Sequence, residues 1–322
     1  MQIARVYYND KNAPADLTRS LKETGFGILV DHPIPAKLID SIYKEWEEFF
    51  GSELKHDYLF NEKQQDGYFP LGTENAKGYK AKDHKEFYHF YPWGRIPKNI
   101  TNDTMKLYTI LVDITSTLLE WIDINTPETA RSNFQEPLKR MIEGSKANLL
   151  RIIHYPPFQG NEDFESFRAA AHEDINLITL LVAGTRPGLE AKDTNGKWHK
   201  ISTDSGTIIV NAGDMLKEAS GGYYPSTTHR VVNPEKNANN HSRYSMPLFL
   251  HPRNEVVLSK KYTAGEYLEE RLNEIGLKNN WIDVRDFIKT DKLLNQDFIH
   301  LIKEKLNPPK INELDGIKLI WP

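Results

Sequence analysis

Residues 172–181 read HEDINLITLL. His172 and Asp174 stand two apart at the head of a run dominated by isoleucine and leucine. On a strand, residues two apart share a face, so the pair predicts two donor side chains converging at the lip of a buried sheet. The bland alternative is a hydrogen-bonded pair at a strand end. With 11 histidines and 45 acidic residues in 322, a His-x-acid triplet also arises by chance. The chain holds a second one, His84-Lys85-Glu86, which lacks matching partners downstream and reads as structural. The surroundings of the first triplet must decide.

Working outward from it, the chain from about 147 to 252 breaks into short β-branched segments punctuated by Gly, Pro, Asn and Asp. They are NLLRIIHY, NLITLLVA, LEAKD, WHKIS, TIIVNAGDML, RVVN and RYSMPLFLHP. Strands at this spacing predict a sandwich, barrel or jelly roll. Residues 1–146 read as a mainly helical framing part, with helices over 15–24, 37–51, 103–125 and 126–144. Two strands interrupt it: GFGILVDHPIP, stopped by Pro33 and Pro35, and EFYHFYPWG, from Glu86 to the break at Pro92. A polar stretch fills 61–82. Residues 253–322 read as C-terminal helices and a tail. The expected class is α+β, mainly β, with a jelly-roll core at 147–252 inside one compact domain, 1–322.

Composition narrows the chemistry. The absence of cysteine excludes disulfides, thiolate zinc sites, iron–sulfur clusters and cysteine nucleophiles, so a metal must be held by His, Asp, Glu or backbone oxygen. A net charge of −4 gives no electrostatic reason to expect nucleic acid. No apolar run approaches the ~20 residues of a membrane span, and the N-terminus lacks a signal-like apolar core. These features predict a soluble cytoplasmic protein and nothing sharper; a small-molecule substrate is expected only from the resemblance given below. They leave its oligomeric state open.

Two further features fall inside the β region. His229, in STTHRVVNP, follows His172 by 57 residues. Arg243 and Ser245, in RYSMPLFLHP, again stand two apart. Two histidines and one carboxylate on one side of a metal leave positions open, the facial-triad pattern of non-haem Fe(II) oxygenases. An arginine fork beside a hydroxyl suits a carboxylate held at a distance from the metal. From Leu149 to Pro252 the chain resembles the 2-oxoglutarate- and Fe(II)-dependent dioxygenases of the isopenicillin N synthase-like group. RIIHYPP, HEDINLITLL, TIIVNAGDMLKEASGGYYPSTTHRVVNP and RYSMPLFLHP follow one another in family order. Upstream, GFGILVDHPIP and DHKEFYHF resemble the family's N-terminal segments, whereas residues 280–322 match nothing in it.

That resemblance implies a double-stranded β-helix. It implies His172, Asp174 and His229 as Fe(II) ligands, and Arg243 and Ser245 as partners of the distal carboxylate of 2-oxoglutarate. It implies Tyr155 as a residue facing that co-substrate. Ile153 stands where relatives often carry Asn, and Arg151 shares its strand face. The implied reaction uses O2, releases succinate and CO2, and usually hydroxylates the substrate. Two rivals stay open: an Fe(II) oxidase of the same group that uses no 2-oxoglutarate, and a non-catalytic jelly-roll binding protein. Tyr79, Tyr91 and Arg95 are candidate substrate contacts. The aromatic stripe Phe87, Phe90, Tyr91, Trp93 reads as pocket lining or core, Asp214 as a turn residue, and the tail INELDGIKLIWP as a lid or a remote element.

Overall fold

Period-two burial organises the structure, a computed structural model that describes residues 1–61, 63–74, 82–158, 167–202, 204, 206–234 and 240–274. All of them fall in the compact unit Met1–Asn279. The strands are β1 (Arg5–Tyr7), β2 (Phe26–Val30), β3 (Gly67–Phe69), β4 (Glu86–Phe90), β5 (Leu149–Tyr155), β6 (Ala169–His172), β7 (Ile178–Val182), β8 (Leu189–Lys192), β9 (Trp198–Lys200), β10 (Ile208–Ala212), β11 (His229–Val231) and β12 (Arg243–Leu250). Eight of them form one sheet in the order β1-β2-β10-β7-β12-β5-β4-β3, and four form a second in the order β6-β11-β8-β9. Only β1 and β2 pair in parallel within the large sheet.

Alternate residues of the large sheet serve two separate cores. Leu150, Ile152, Met246, Leu248, Val210 and Leu29 join a core built with the helices. Ile153, Tyr155, Ile209, Phe26, Ile28 and Phe87 join an interior core with Ala169, Leu189, Ala191 and Val231 of the small sheet. The two sheets thus enclose a jelly-roll interior, and the helices cover the outer face of the large sheet.

The helices are α1 (Ala13–Thr24), α2 (Ala36–Phe50), α3 (Asp103–Asn125), α4 (Glu128–Arg131), α5 (Leu138–Ile142), α6 (Asp214–Ala219) and α7 (Ala264–Glu274). On α2, Ile39, Ile42, Trp46, Phe49 and Phe50 are buried, the spacing of one helical face. Trp46 donates its indole N–H to Thr104 Oγ1 at 3.0 Å, so its polar handle is satisfied inside the core. α1 ends where expected, with Gly25 left-handed at φ 72° and its N–H bonded to Leu21 O at 2.8 Å.

Several expectations are corrected. Residues 126–144 do not form one helix: they hold α4 and α5, each preceded by a proline in extended conformation, Pro127 and Pro137. Proline disfavours helix for the residue before it, and two prolines ten residues apart leave room only for single turns. The polar stretch 61–82 contains β3, which pairs with β4. TIIVNAGDML is a strand that ends at Ala212 and turns into α6. The segment AAAH, too small-sided to read as a strand, is β6. The part of the expected C-terminal helices beyond residue 274, and the tail, lie outside the described residues. No described helix is long and apolar enough to cross a membrane.

Candidate metal centre

The antiparallel pairing of β6 with β11 sets His172 directly opposite His229. Their ring centroids are 4.4 Å apart. Asp174 lies just beyond the end of β6, so strand alternation does not bring it to His172 as first expected. The turn does. Asp174 O accepts the Asp214 N–H at 2.7 Å, and Ile175 O accepts that of Met215 at 3.2 Å, which pins the loop against the start of α6. Asp174 Oδ1 then lies 3.8 Å from His172 Nε2 and 3.7 Å from His229 Nε2. One ligand atom from each of the three residues falls within 4.8 Å of the others, and among the described residues no other group of His and acids does this.

The atoms around the triad fix which donors are free. His172 Nδ1 is 2.8 Å from Ala170 O, and His229 Nδ1 is 3.1 Å from Thr227 O. A carbonyl can only accept, so each Nδ1 carries a proton, and Nε2 is the ring nitrogen turned toward Asp174. Asp174 Oδ2 accepts from Thr179 Oγ1 at 2.6 Å and Asn211 Nδ2 at 2.8 Å, leaving Oδ1 to face the histidines. Burial pushes the Asp174 carboxyl up, but His229, His172 and these two hydrogen bonds outweigh it and hold it below the usual carboxylate range. Burial, then the field of His229, push His172 down to about 4. His172 and Asp174 are therefore deprotonated at neutral pH, as metal ligands must be. The Phe26 ring meets His229 edge-on at 5.7 Å.

Arg243 and Ser245 face the same interior. Both are buried, and Arg243 Nη1 donates to Ser245 Oγ at 3.2 Å. Arg243 Nε donates to Arg186 O at 3.0 Å, and the guanidinium lies 5.0 Å over the Tyr155 ring. Nη2 is buried with no partner. Among the described residues no carboxylate pairs with this cation, so the site holds a buried positive charge with both N–H groups of Nη2 unspent. Gly184 leaves room for it: a Cβ there would sit 3.0 Å from Arg243 Nη2 and 2.9 Å from Tyr244 O.

Residues 146–252 match the family model described as the 2OG-Fe(II) oxygenase superfamily, and residues 7–107 match the N-terminal model of non-haem dioxygenases in morphine synthesis. A crystal structure of a Shewanella oneidensis protein, described provisionally as an oxygenase, is 47% identical. It covers 86% of this chain and 100% of its own, with a TM-score of 0.78. The chain belongs to the 2-oxoglutarate–Fe(II) oxygenase family. A Caulobacter crescentus protein described provisionally as a member of this family is 30% identical, covering 85% of this chain and 99% of its own, with a TM-score of 0.69. Clavatol oxidase of Penicillium crustosum is 24% identical over 266 residues, 71% of this chain and 76% of its own. As a 2-oxoglutarate–Fe(II) oxygenase, the chain is a dioxygenase whose cofactors are Fe(II) and 2-oxoglutarate.

Other expected contacts resolve differently. Arg95 is taken up by Asp66, which accepts from its guanidinium at 2.9 Å and is itself fully buried. Tyr91 is buried and stacks on Trp93 at 4.6 Å; Tyr79 lies outside the described residues. Glu86 bonds His154 at 2.7 Å and among the described residues belongs to no cluster of possible metal ligands. Ile153 is buried in the interior core, paired with Ser245 and Phe87. Arg151 does not replace the missing Asn: it donates to His89 Nε2 at 3.1 Å and pairs with Glu74 at 3.2 Å. Thr179 and Asn211 escaped the sequence reading. Their signal was a polar residue on the inward face of an otherwise apolar strand, and the two are register partners in β7 and β10.

Proposed function

We propose that the chain oxidises a small molecule, most simply by hydroxylation, with Fe(II) held by His172, Asp174 and His229. Arg243 and Ser245 hold the distal carboxylate of 2-oxoglutarate, and Tyr155 flanks it. The observation that carries this reading is a buried guanidinium, Arg243, without an acid partner among the described residues, facing the same interior as a cluster of two histidines and one carboxylate. Three protein donors suit Fe(II) because they leave coordination positions for a bidentate co-substrate and dioxygen. When bound, the metal and co-substrate supply the oxidising chemistry and yield succinate and CO2. The protein's part is to hold and shield. Ala170 O and Thr227 O fix the imidazole tautomers. Thr179 and Asn211 aim the carboxylate. Arg243 sets the reach of the co-substrate from the metal, and the apolar interior core excludes bulk water.

The test is an anaerobic titration of 2-oxoglutarate into the Fe(II)-loaded protein, followed by the visible charge-transfer absorbance of the chelate. The band is expected in the wild type. It should vanish in Asp174→Ala because iron is lost, with an unchanged circular dichroism spectrum. In Arg243→Ala iron should stay bound while the 2-oxoglutarate requirement rises at least tenfold, about 1.4 kcal/mol. Iron binding with no band in the wild type would turn the reading to an oxidase whose Arg243 serves another carboxylate.

A further inference from the structure

A second buried arginine lies beside the segment that leads into β12 and Arg243. Arg168 immediately precedes β6 and is 3% exposed, as buried as a core leucine. Its backbone N–H donates to Asn233 Oδ1 at 2.9 Å, and its Nη2 donates to His241 O at 2.7 Å. His241 is two residues before Arg243, so the small sheet's arginine reaches across to the strand end where the large sheet's arginine begins. Arg168 Nε is buried and has no partner, as is Arg243 Nη2. Burial and then the field of Arg243 push Arg168 down to about 10, with Tyr155 acting on it in the opposite sense.

The other buried cations nearby are accounted for. Lys85 pairs with Glu74 and Asp83 at 2.8 Å each, and Arg151 shares Glu74. Among the described residues neither Arg168 nor Arg243 has an acid partner. Guanidinium groups stay protonated in proteins, and a buried unpaired charge is costly. Two of them near the start of β12, each with a buried nitrogen that has no partner, suit an anion between them. On the reading above, the anion there is the co-substrate's distal carboxylate.

Resting on that reading, we infer that Arg168 is a second cationic contact for this carboxylate, so that arginines from both sheets clamp it. A carboxylate has about four lone-pair sites, which one fork and one hydroxyl do not fill. The two-sided clamp makes the site selective for a dicarboxylate over a 2-oxo monoacid, beyond what Arg243 and Ser245 provide.

The test is anaerobic calorimetric titration of the Fe(II) protein with 2-oxoglutarate and, separately, with 2-oxobutyrate, which chelates the metal but lacks the distal carboxylate. Arg168→Gln should raise the 2-oxoglutarate Kd about 10- to 100-fold, the range of a lost charge-assisted hydrogen bond. The 2-oxobutyrate Kd and the Fe(II) Kd should stay within about twofold, and Arg168→Lys should recover part of the loss. An unchanged 2-oxoglutarate Kd in Arg168→Gln overturns the clamp and leaves the Arg243 assignment standing. Equal weakening of both ligands also overturns it, by making Arg168 a structural support. A wild type that binds 2-oxobutyrate as tightly as 2-oxoglutarate overturns the clamp and the Arg243 reading together.

Discussion

At the scale of single residues, the site depends on atoms that touch no ligand. Asp174 offers Oδ1 to the centre only because Oδ2 is occupied by Thr179 and Asn211. Thr179→Val keeps the shape of the side chain and removes one of these donors. Fe(II) affinity should fall about 10- to 100-fold, the usual cost of losing an outer hydrogen bond to a metal ligand. A competition titration against a chelator measures it, and an unchanged affinity would refute the orienting role. Gly184 acts on Arg243. In Gly184→Ala the added carbon meets both the Arg243 guanidinium and Tyr244 O. Overpacking of this kind costs about 1–3 kcal/mol. The variant should bind iron normally and 2-oxoglutarate at least several-fold more weakly, by the same charge-transfer titration; parallel losses in both would place the damage elsewhere.

At the scale of elements, legibility followed the strength of local patterning. β5, β7, β10 and β12 announced themselves because runs such as NLLRIIHY and RYSMPLFLHP bury both faces, and such strands read as continuous apolar segments. α2 was legible from its 3.6-residue stripe. β6 was not: its AAAH carries no bulk, and it becomes a strand because β11 pairs with it. The triad residues were legible as types and order, but the reason Asp174 meets the histidines is a turn held by α6, which no spacing encodes. Arg168 had no signal at all, since a lone arginine reads as surface until the fold buries it. Gly25 shows an element joint that the sequence half disclosed. It ends α1 in the left-handed region, and a Cβ there would also strike Thr227 Oγ1, next to the carbonyl that holds His229. Gly25→Ala should therefore cost at least about 1–2 kcal/mol from backbone conformation alone, read from urea unfolding, and should weaken Fe(II) binding as well. A stability loss with undisturbed iron affinity would show that α1 and the distal histidine are uncoupled.

At the scale of the whole molecule, the helical N-terminal part and the β core share one sheet, and Glu86 is a polar joint between them, beside the Arg151–His89 contact. Its carboxylate accepts from His154 of β5 at 2.7 Å and Lys55 at 3.0 Å, and from the Tyr68 hydroxyl of β3. His154 continues the link to Ser242 at 2.9 Å, beside the start of β12. Burial raises the Glu86 carboxyl, but the hydrogen bonds from His154, Tyr68 and Lys55 and the Lys55 charge outweigh it, so its folded pKa lies below the ordinary 4.5. A depressed folded value means that the unfolded chain binds the proton more readily. The contribution of Glu86 is then fully present above about pH 4.5 and is lost as pH falls through the lower folded value. Glu86→Gln cannot titrate and leaves three donors around a neutral amide, one of whose groups is itself a donor. At pH 7 the variant should be less stable by about 1–3 kcal/mol, and its deficit should shrink as both proteins are taken from pH 5 toward pH 3. Urea unfolding of the pair across that range measures it. A deficit independent of pH would mean that Glu86 stabilises the joint by packing, and that the charge contributes nothing to holding the two parts of the sheet together.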